Sequence, residues 1–240
     1  SVASAGDFNG DGKDDVIVGA YDDAGNALDS GRAFIFFGGI TGTKRADADA
    51  DVILDGQSTG DEFGRSVASA GDFNGDGKSD VIVGADFRTN NVGNEGNAYI
   101  FFGGVTGSKR ANDDADVIIK GNGNGDNLGN SVSSAGDFNG DGKGDVIVGE
   151  RNGQNVSNIR TGRAYIFFGG VTGTKTADTD ADLILNGQSA NDEFGNTVAS
   201  AGDFNGDGKD DVIIGAPGDD NNSASNSGSA FIFFGGITGT

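Results

Sequence analysis

The chain has 240 residues and carries 37 Asp and Glu against 16 Lys and Arg, a formal charge of −21. So acidic a surface argues against nucleic acid and anionic lipid as partners, and it opposes compaction unless cations neutralise it. Cys and His are absent, which excludes a soft transition-metal site and His- or Cys-based catalysis, and no apolar run approaches the ~18 residues of a membrane span.

In chain order, "SVASAGD" (1–7) predicts a strand of small residues, followed by the acidic loop "DFNGDGKDD" (7–15). "DVIVGA" (15–20) predicts a second strand, a polar stretch occupies 21–30, and "GRAFIFFGG" (31–39) predicts a third strand. A Gly/Thr/Lys/Asp connection containing "ADADAD" (46–51) leads to a fourth strand in "DVILDGQ" (51–57) and a turn at "GDEFG" (60–64). The same order then returns from residues 66, 131 and 197, with Asp7, Asp72, Asp137 and Asp203 spaced 65, 65 and 66 residues apart. Such a period means tandem supersecondary units. The expected division is one unit over 1–240 with repeats 1–65, 66–130, 131–196 and 197–240, and no helical periodicity is expected anywhere.

Strand character predicts packing. The first strand carries Ala and Ser, which suits a place where sheets converge. The second and third are apolar on both faces, with Phe34 and Phe36 pointing one way and Ile35 and Phe37 the other. Four-stranded sheets stacked around an axis, smallest residues innermost, describe an all-β fold, a β-propeller of four blades. A parallel β-solenoid is the alternative, although ~65 residues per turn is long for one. The last repeat stops at "GGITGT" (235–240), so the last blade is expected to lack its fourth strand. The first repeat lacks a preceding "EFG". A segment of roughly twenty residues, from a longer chain or a neighbouring molecule, is expected to cover that open edge.

The acidic loops place oxygen-bearing groups at positions 1, 3, 5, 7 and 9. In the first loop these are Asp7, Asn9, Asp11, the carbonyl of Lys13, and Asp15. The others use Asp72, Asn74, Asp76, Lys78 and Asp80; Asp137, Asn139, Asp141, Lys143 and Asp145; and Asp203, Asn205, Asp207, Lys209 and Asp211. An all-oxygen shell of this flexibility suits Ca²⁺ better than Mg²⁺, which predicts about four structural calcium ions per chain. It is not an EF-hand, because position 12 is Val or Ile and a strand follows. Asp/Asn/Gly clusters also make ordinary hairpin turns. Turn chemistry alone would accept Ser, Lys or Thr at several positions, yet all four loops keep every oxygen.

With these residues the chain resembles the FG-GAP repeat family, the modules of the integrin α-subunit propeller and of many bacterial surface proteins. The matching residues are "EFG" (62–64, 193–195), the Asp-x-Asn-x-Asp-Gly-x-x-Asp loops, and "VGA" or "IGAP" (18–20, 83–85, 214–217). The resemblance spans essentially the whole chain and implies a propeller with calcium in its hairpin loops. It has four repeats, fewer than the family usually assembles. "GAP" is complete only at 215–217, and Leu128 stands in place of the phenylalanine of "FG" at the junction leading into the third repeat.

The copies differ most between the second and third strands, at 21–30, 86–95, 151–160 and 217–227. By the family's layout these loops share the face opposite the calcium hairpins, and Tyr21, Phe87, Arg88 and Arg160 are the candidate ligand contacts. The alternative is that the loops are merely solvated. The "ADADAD" run reads as a solvated lead-in to the fourth strand, or as a weak second cation site using Asp47 and Asp49. No nucleophile–base constellation stands out. The expected function is a non-catalytic, extracellular, calcium-binding module for adhesion, ligand binding or cell-surface or filament architecture, meeting protein or glycan partners or associating with itself. The alternatives are a carbohydrate-binding lectin and a non-catalytic domain of a secreted hydrolase.

Overall fold

The computed structural model describes residues 1–24, 30–86, 95–123, 125–155, 157–220 and 227–237. The first repeat forms β1 (Val2–Gly6), β2 (Asp15–Ala20), β3 (Arg32–Phe36), α1 (Ala46–Asp49) and β4 (Val52–Asp55). The second forms β5 (Ser66–Gly71), β6 (Asp80–Ala85), β7 (Asn97–Phe101), β8 (Gly107–Arg110), α2 (Ala111–Asp114) and β9 (Val117–Lys120). The third forms β10 (Leu128–Gly136), β11 (Asp145–Glu150), β12 (Arg163–Phe167), β13 (Gly173–Thr176), α3 (Ala177–Asp180) and β14 (Leu183–Asn186). The fourth contains β15 (Thr197–Gly202), β16 (Asp211–Ala216) and β17 (Ser229–Phe233).

Each repeat is one antiparallel sheet with its strands in chain order, and the fourth sheet, β15-β16-β17, has three strands. These are propeller blades, the last of them incomplete. Register follows the period-two pattern of the sequence: Val18 faces Phe34, Ile17 faces Ile35 and Val16 faces Phe36. Each first strand breaks register before its terminal glycine, as between Ser4 and Gly6, where the chain turns into the acidic loop.

The core lies between blades. Ile17 and Ile35 of the first blade cluster with Val81, Val83, Tyr99 and Phe101 of the second. The other face of β7 sends Ile100 toward the third blade, into a cluster with Val146, Val148, Tyr165 and Phe167. A strand apolar on both faces is thus buried on both, and each large side chain removed from water contributes about 1.5–3 kcal/mol. The small-residue strands β1, β5, β10 and β15 lie beside one another in order. Adjacent first strands are also tied by hydroxyls: Val67 N–H donates to Ser1 Oγ (3.2 Å), Val132 to Ser66 Oγ (3.0 Å) and Val198 to Ser131 Oγ (3.0 Å).

Two features depart from the expected four strands without helix. The acid–alanine run and its relatives each form one helical turn, α1, α2 and α3. Alanine favours the helix, and an aspartate closes each turn: Asp49, Asp114 and Asp180 accept the N–H of Arg45, Arg110 and Thr176, each at 2.7 Å. The connections just before α2 and α3 are strands. β8 pairs parallel with β4 of the preceding blade, and β13 pairs parallel with β9. Each strap covers the outer edge of the blade before it.

Candidate functional site

The four acidic loops fold alike. Asp7 Oδ1 accepts the N–H groups of Gly10 and Asp11 and its Oδ2 accepts that of Gly12, all at 2.9 Å. Asn9 Oδ1 accepts from Asp11 N–H (2.8 Å), and Asp11 Oδ1 from Lys13 N–H (3.0 Å). Asp72, Asp137 and Asp203 gather the corresponding amides at 2.7–3.0 Å. Gly10 (φ 79°) and Gly12 (φ 85°) wind the chain this tightly, in a region other residues rarely adopt. In the first loop Lys13 Nζ donates to Asp11 Oδ2 at 3.1 Å and holds that carboxyl below the usual carboxylate range.

The ninth-position aspartates are buried. Asp15 Oδ2 accepts the N–H of Phe8 (3.0 Å) and Asn9 (3.2 Å), while Oδ1 accepts that of Gly38 just beyond β3 (2.6 Å). Asp80, Asp145 and Asp211 reach Gly103, Gly169 and Gly235 in the same way. Burial pushes the Asp80 and Asp145 carboxyls up to about 6, against the pull of these amides. These residues therefore clasp the loop to the end of the third strand, a role that loop spacing does not reveal. The donor set of each loop is all oxygen and fits a hard divalent cation. Among the described residues no three carboxylates converge as a group that holds a metal; the loop oxygens turn instead to backbone amides.

The candidate ligand residues fare differently. In antiparallel blades the loop between second and third strands lies at the opposite end from the acidic hairpin. Tyr21 is half-buried beneath Arg65, whose guanidinium carbon stands 4.8 Å from the ring centroid and whose Nη1 pairs with Glu62 at 3.1 Å. Arg65 stands just before β5, so the pair ties the end of β2 to the entry of the next blade's first strand. Arg160 is exposed, and its carbonyl accepts Asn191 N–H at 2.8 Å. Phe87 and Arg88 lie outside the described residues. Asp47 approaches Arg32 at 3.7 Å and Asp49 caps its helical turn, so the two are not drawn to one point.

Sequence reasoning passed over Glu150, although the signal was present: the other second strands end in Ala20, Ala85 and Ala216. Glu150 is 2% exposed, and burial pushes its carboxyl up to about 8. The Tyr165 hydroxyl lies 2.7 Å from both Glu150 Oε2 and Asp178 Oδ1. One hydroxyl proton cannot serve two carboxylates, so neutral Glu150 donates to Tyr165, which donates to Asp178. Burial alone would raise Asp178, but Tyr165 and the Arg163 guanidinium (2.6 Å) outweigh it and hold it low. Arg163 and Asp178 line a polar pocket of about 200 Å³ with Asn122, Asp126, Gln154 and Asn158.

Comparison with known proteins agrees with this architecture. The FG-GAP repeat family matches at residues 1–36, 63–101, 128–167 and 194–233, more than half of the chain. Integrin alpha-5 of Xenopus laevis is 29% identical over 229 residues, which is 92% of this chain and 20% of that protein. Integrin alpha-PS2 of Drosophila melanogaster is 39% identical over 109 residues, 42% of this chain and 7% of that protein. Phosphatidylinositol-glycan-specific phospholipase D of Bos taurus is 35% identical over 116 residues, 47% of this chain and 14% of that protein. The chain thus spans at most a fifth of the length of these curated relatives. No described helix is long and apolar enough to cross a membrane. Repeated blades, recurring Asp/Asn/Gly hairpins and these matches together mean that the chain belongs to the FG-GAP repeat family, as an integrin α-like β-propeller.

Proposed function

We propose that this chain is a non-catalytic, calcium-binding propeller module of the cell exterior, acting in adhesion, ligand binding or cell-surface architecture. It is one unit over 1–240, with repeats 1–65, 66–130, 131–196 and 197–240. The observation that carries the reading is the fourfold recurrence of one all-oxygen hairpin with the same aspartate–amide pattern. The side chains of Asp7, Asn9, Asp11 and Asp15, the carbonyl of Lys13, and their equivalents would hold the ion. Bound calcium would supply positive charge to loops whose carboxylates are otherwise met by backbone amides. The role is structural, because the loops join the first two strands of each blade.

Protein or glycan ligands would meet the opposite end, where Arg160 and the pocket at Arg163 and Asp178 present polar groups suited to hydroxyl-rich partners. The match to a phospholipase D supports a second reading, an accessory domain of a secreted hydrolase.

The test is a calorimetric calcium titration of chelator-stripped protein. Uptake of about four ions per chain is expected, with a rise in melting temperature and a gain in folding stability of roughly 2.7 kcal/mol per site at a hundredfold excess over Kd. Asp72→Ala should remove one ion and leave the rest. No uptake, or melting indifferent to chelator, would sink the calcium role. A glycan panel then separates lectin from protein adhesin.

A further inference from the structure

The turns that lead from one blade to the next differ in two adjacent side chains. At 57–58 and 188–189 the chain has Gln-Ser, whereas at 122–123 it has Asn-Gly. Gln57 reaches across to α2 of the second blade: its Nε2 donates to Asp113 Oδ2 at 2.8 Å, and its Oε1 accepts the N–H of Asn112. Asn122 is one methylene shorter, and Gly123 has no side chain to fill the space. Beside these two residues lies the polar pocket of about 200 Å³, lined also by Gln154 and Asn158 of the third blade's loop and by Arg163 and Asp178.

The lining is charged where the second blade is neutral. Arg163 and Asp178 take the repeat positions of Asn97 and Asn112, and Asp178 already serves Arg163 at 2.6 Å and the Tyr165 hydroxyl at 2.7 Å. Asp126 lines the same pocket and is 7% exposed, and its Oδ1 has no hydrogen-bond partner among the described residues. The Nε of Arg163 lacks one as well. A buried polar atom left in this state is costly, and it calls for a partner. One acceptor and one donor are therefore vacant on residues of a single pocket.

The charges here balance. The carboxylates of Asp126 and Asp178 stand against the guanidiniums of Arg163 and Arg160, both of which act on Asp126. A cationic ligand would meet the guanidiniums and an anionic one the carboxylates, so neither sign is favoured. The amide side chains of Asn122, Gln154 and Asn158 each donate and accept. A hydroxyl does both too: it can give its proton to Asp126 and accept from Arg163 or from an amide. We propose that this pocket binds one ring of a neutral glycan, whose hydroxyls bridge Asp126 and Arg163. The inference rests on the ligand-binding reading above and narrows it to one class and one place. The volume equals roughly six waters at about 30 Å³ each, which suits a single sugar ring.

The test is a ligand-observed NMR titration in calcium-containing buffer, with the methyl glycosides of galactose, mannose and N-acetylglucosamine as probes. At least one of them should bind the wild-type chain at a single site. Asn122→Gln combined with Gly123→Ser writes into this turn the pair that the chain itself carries at 57–58. That variant should melt with wild type while binding falls about tenfold or more. Gln154→Ala changes one half-buried lining side chain and should also weaken binding, which keeps the test decisive if the double variant misfolds. A chain that takes up calcium yet binds none of the glycosides overturns the pocket and spares the calcium-binding module. Equal binding by wild type and both variants puts the glycan elsewhere, which overturns the pocket and leaves the glycan reading. Tighter binding of N-acetylarginine amide or of glucuronate than of any glycoside overturns the neutral class.

Discussion

Asp15 Oδ1 accepts the N–H of Gly38 at 2.6 Å, across 23 residues, while its other oxygen holds Phe8 and Asn9. A single buried carboxylate thereby joins the acidic hairpin to the end of the third strand. The geometry recurs at Asp80, Asp145 and Asp211, each buried. The ninth loop position thus shapes the blade through its own hydrogen bonds.

Asp145→Ala should therefore destabilise the chain even in chelator. It leaves Gly169 and Asn139 without their acceptor, and an unsatisfied buried amide costs about 1–3 kcal/mol. Denaturant unfolding in chelator, set beside Asp141→Ala in the same loop, checks this. Equal losses for the two variants would mean that the clasp adds nothing beyond the exposed loop.

Glu150 predicts a pH dependence. Its folded value is raised from 4.5 to about 8 by burial, so between those limits the native state keeps a proton that the unfolded chain has lost. Its stabilising contribution is complete below about 4.5, declines as pH rises, and levels off above about 8. Glu150→Gln keeps a neutral hydrogen-bonding group and removes the titration. The variant should be the more stable at pH 7, by roughly 3 kcal/mol at 1.36 kcal/mol per pH unit, and near parity below pH 4.5. The difference between the two melting curves across pH isolates this residue from the other acids. A difference that does not vary with pH would refute the neutral Glu150.

The glycine of each "VGA" segment is set by the neighbouring blade. A Cβ on Gly84 would stand 2.1 Å from the carbonyl oxygen of Gly129 in β10, the first strand of the next blade. The equivalent Gly215 faces no such backbone; its nearest neighbour is the Thr197 hydroxyl. Gly84→Ala should cost about 1–3 kcal/mol as overpacking, and Gly215→Ala clearly less, because one side-chain rotation relieves it. Chemical denaturation of the two variants decides the matter, and similar losses would show that the next blade's carbonyl is not the constraint.

Most strands were legible because their signals are local. Branched and aromatic runs such as "DVIVGA", bounded by glycine and aspartate, specify a strand whatever surrounds them. The turns α1, α2 and α3 and the straps β8 and β13 were not legible. Each is four residues long, too short for periodicity to register. The straps "GSKR" and "GTKT" carry no apolar pattern and become strands only because an edge of the preceding blade lies beside them. Tyr21 reads in sequence as a free contact residue; Arg65, just before β5, makes it half of a stacked pair.

The amino-acid sequence by itself determined the all-β class, the four repeats, the propeller and the recurring oxygen donors, because a period of 65 or 66 residues and period-two alternation are written in the order of residues. Only the tertiary structure decided that the ninth-position aspartates are buried clasps and that Glu150 is held neutral. Those outcomes depend on which blade stands next to which. Burial, the term that dominates them, comes from neighbours distant in the chain.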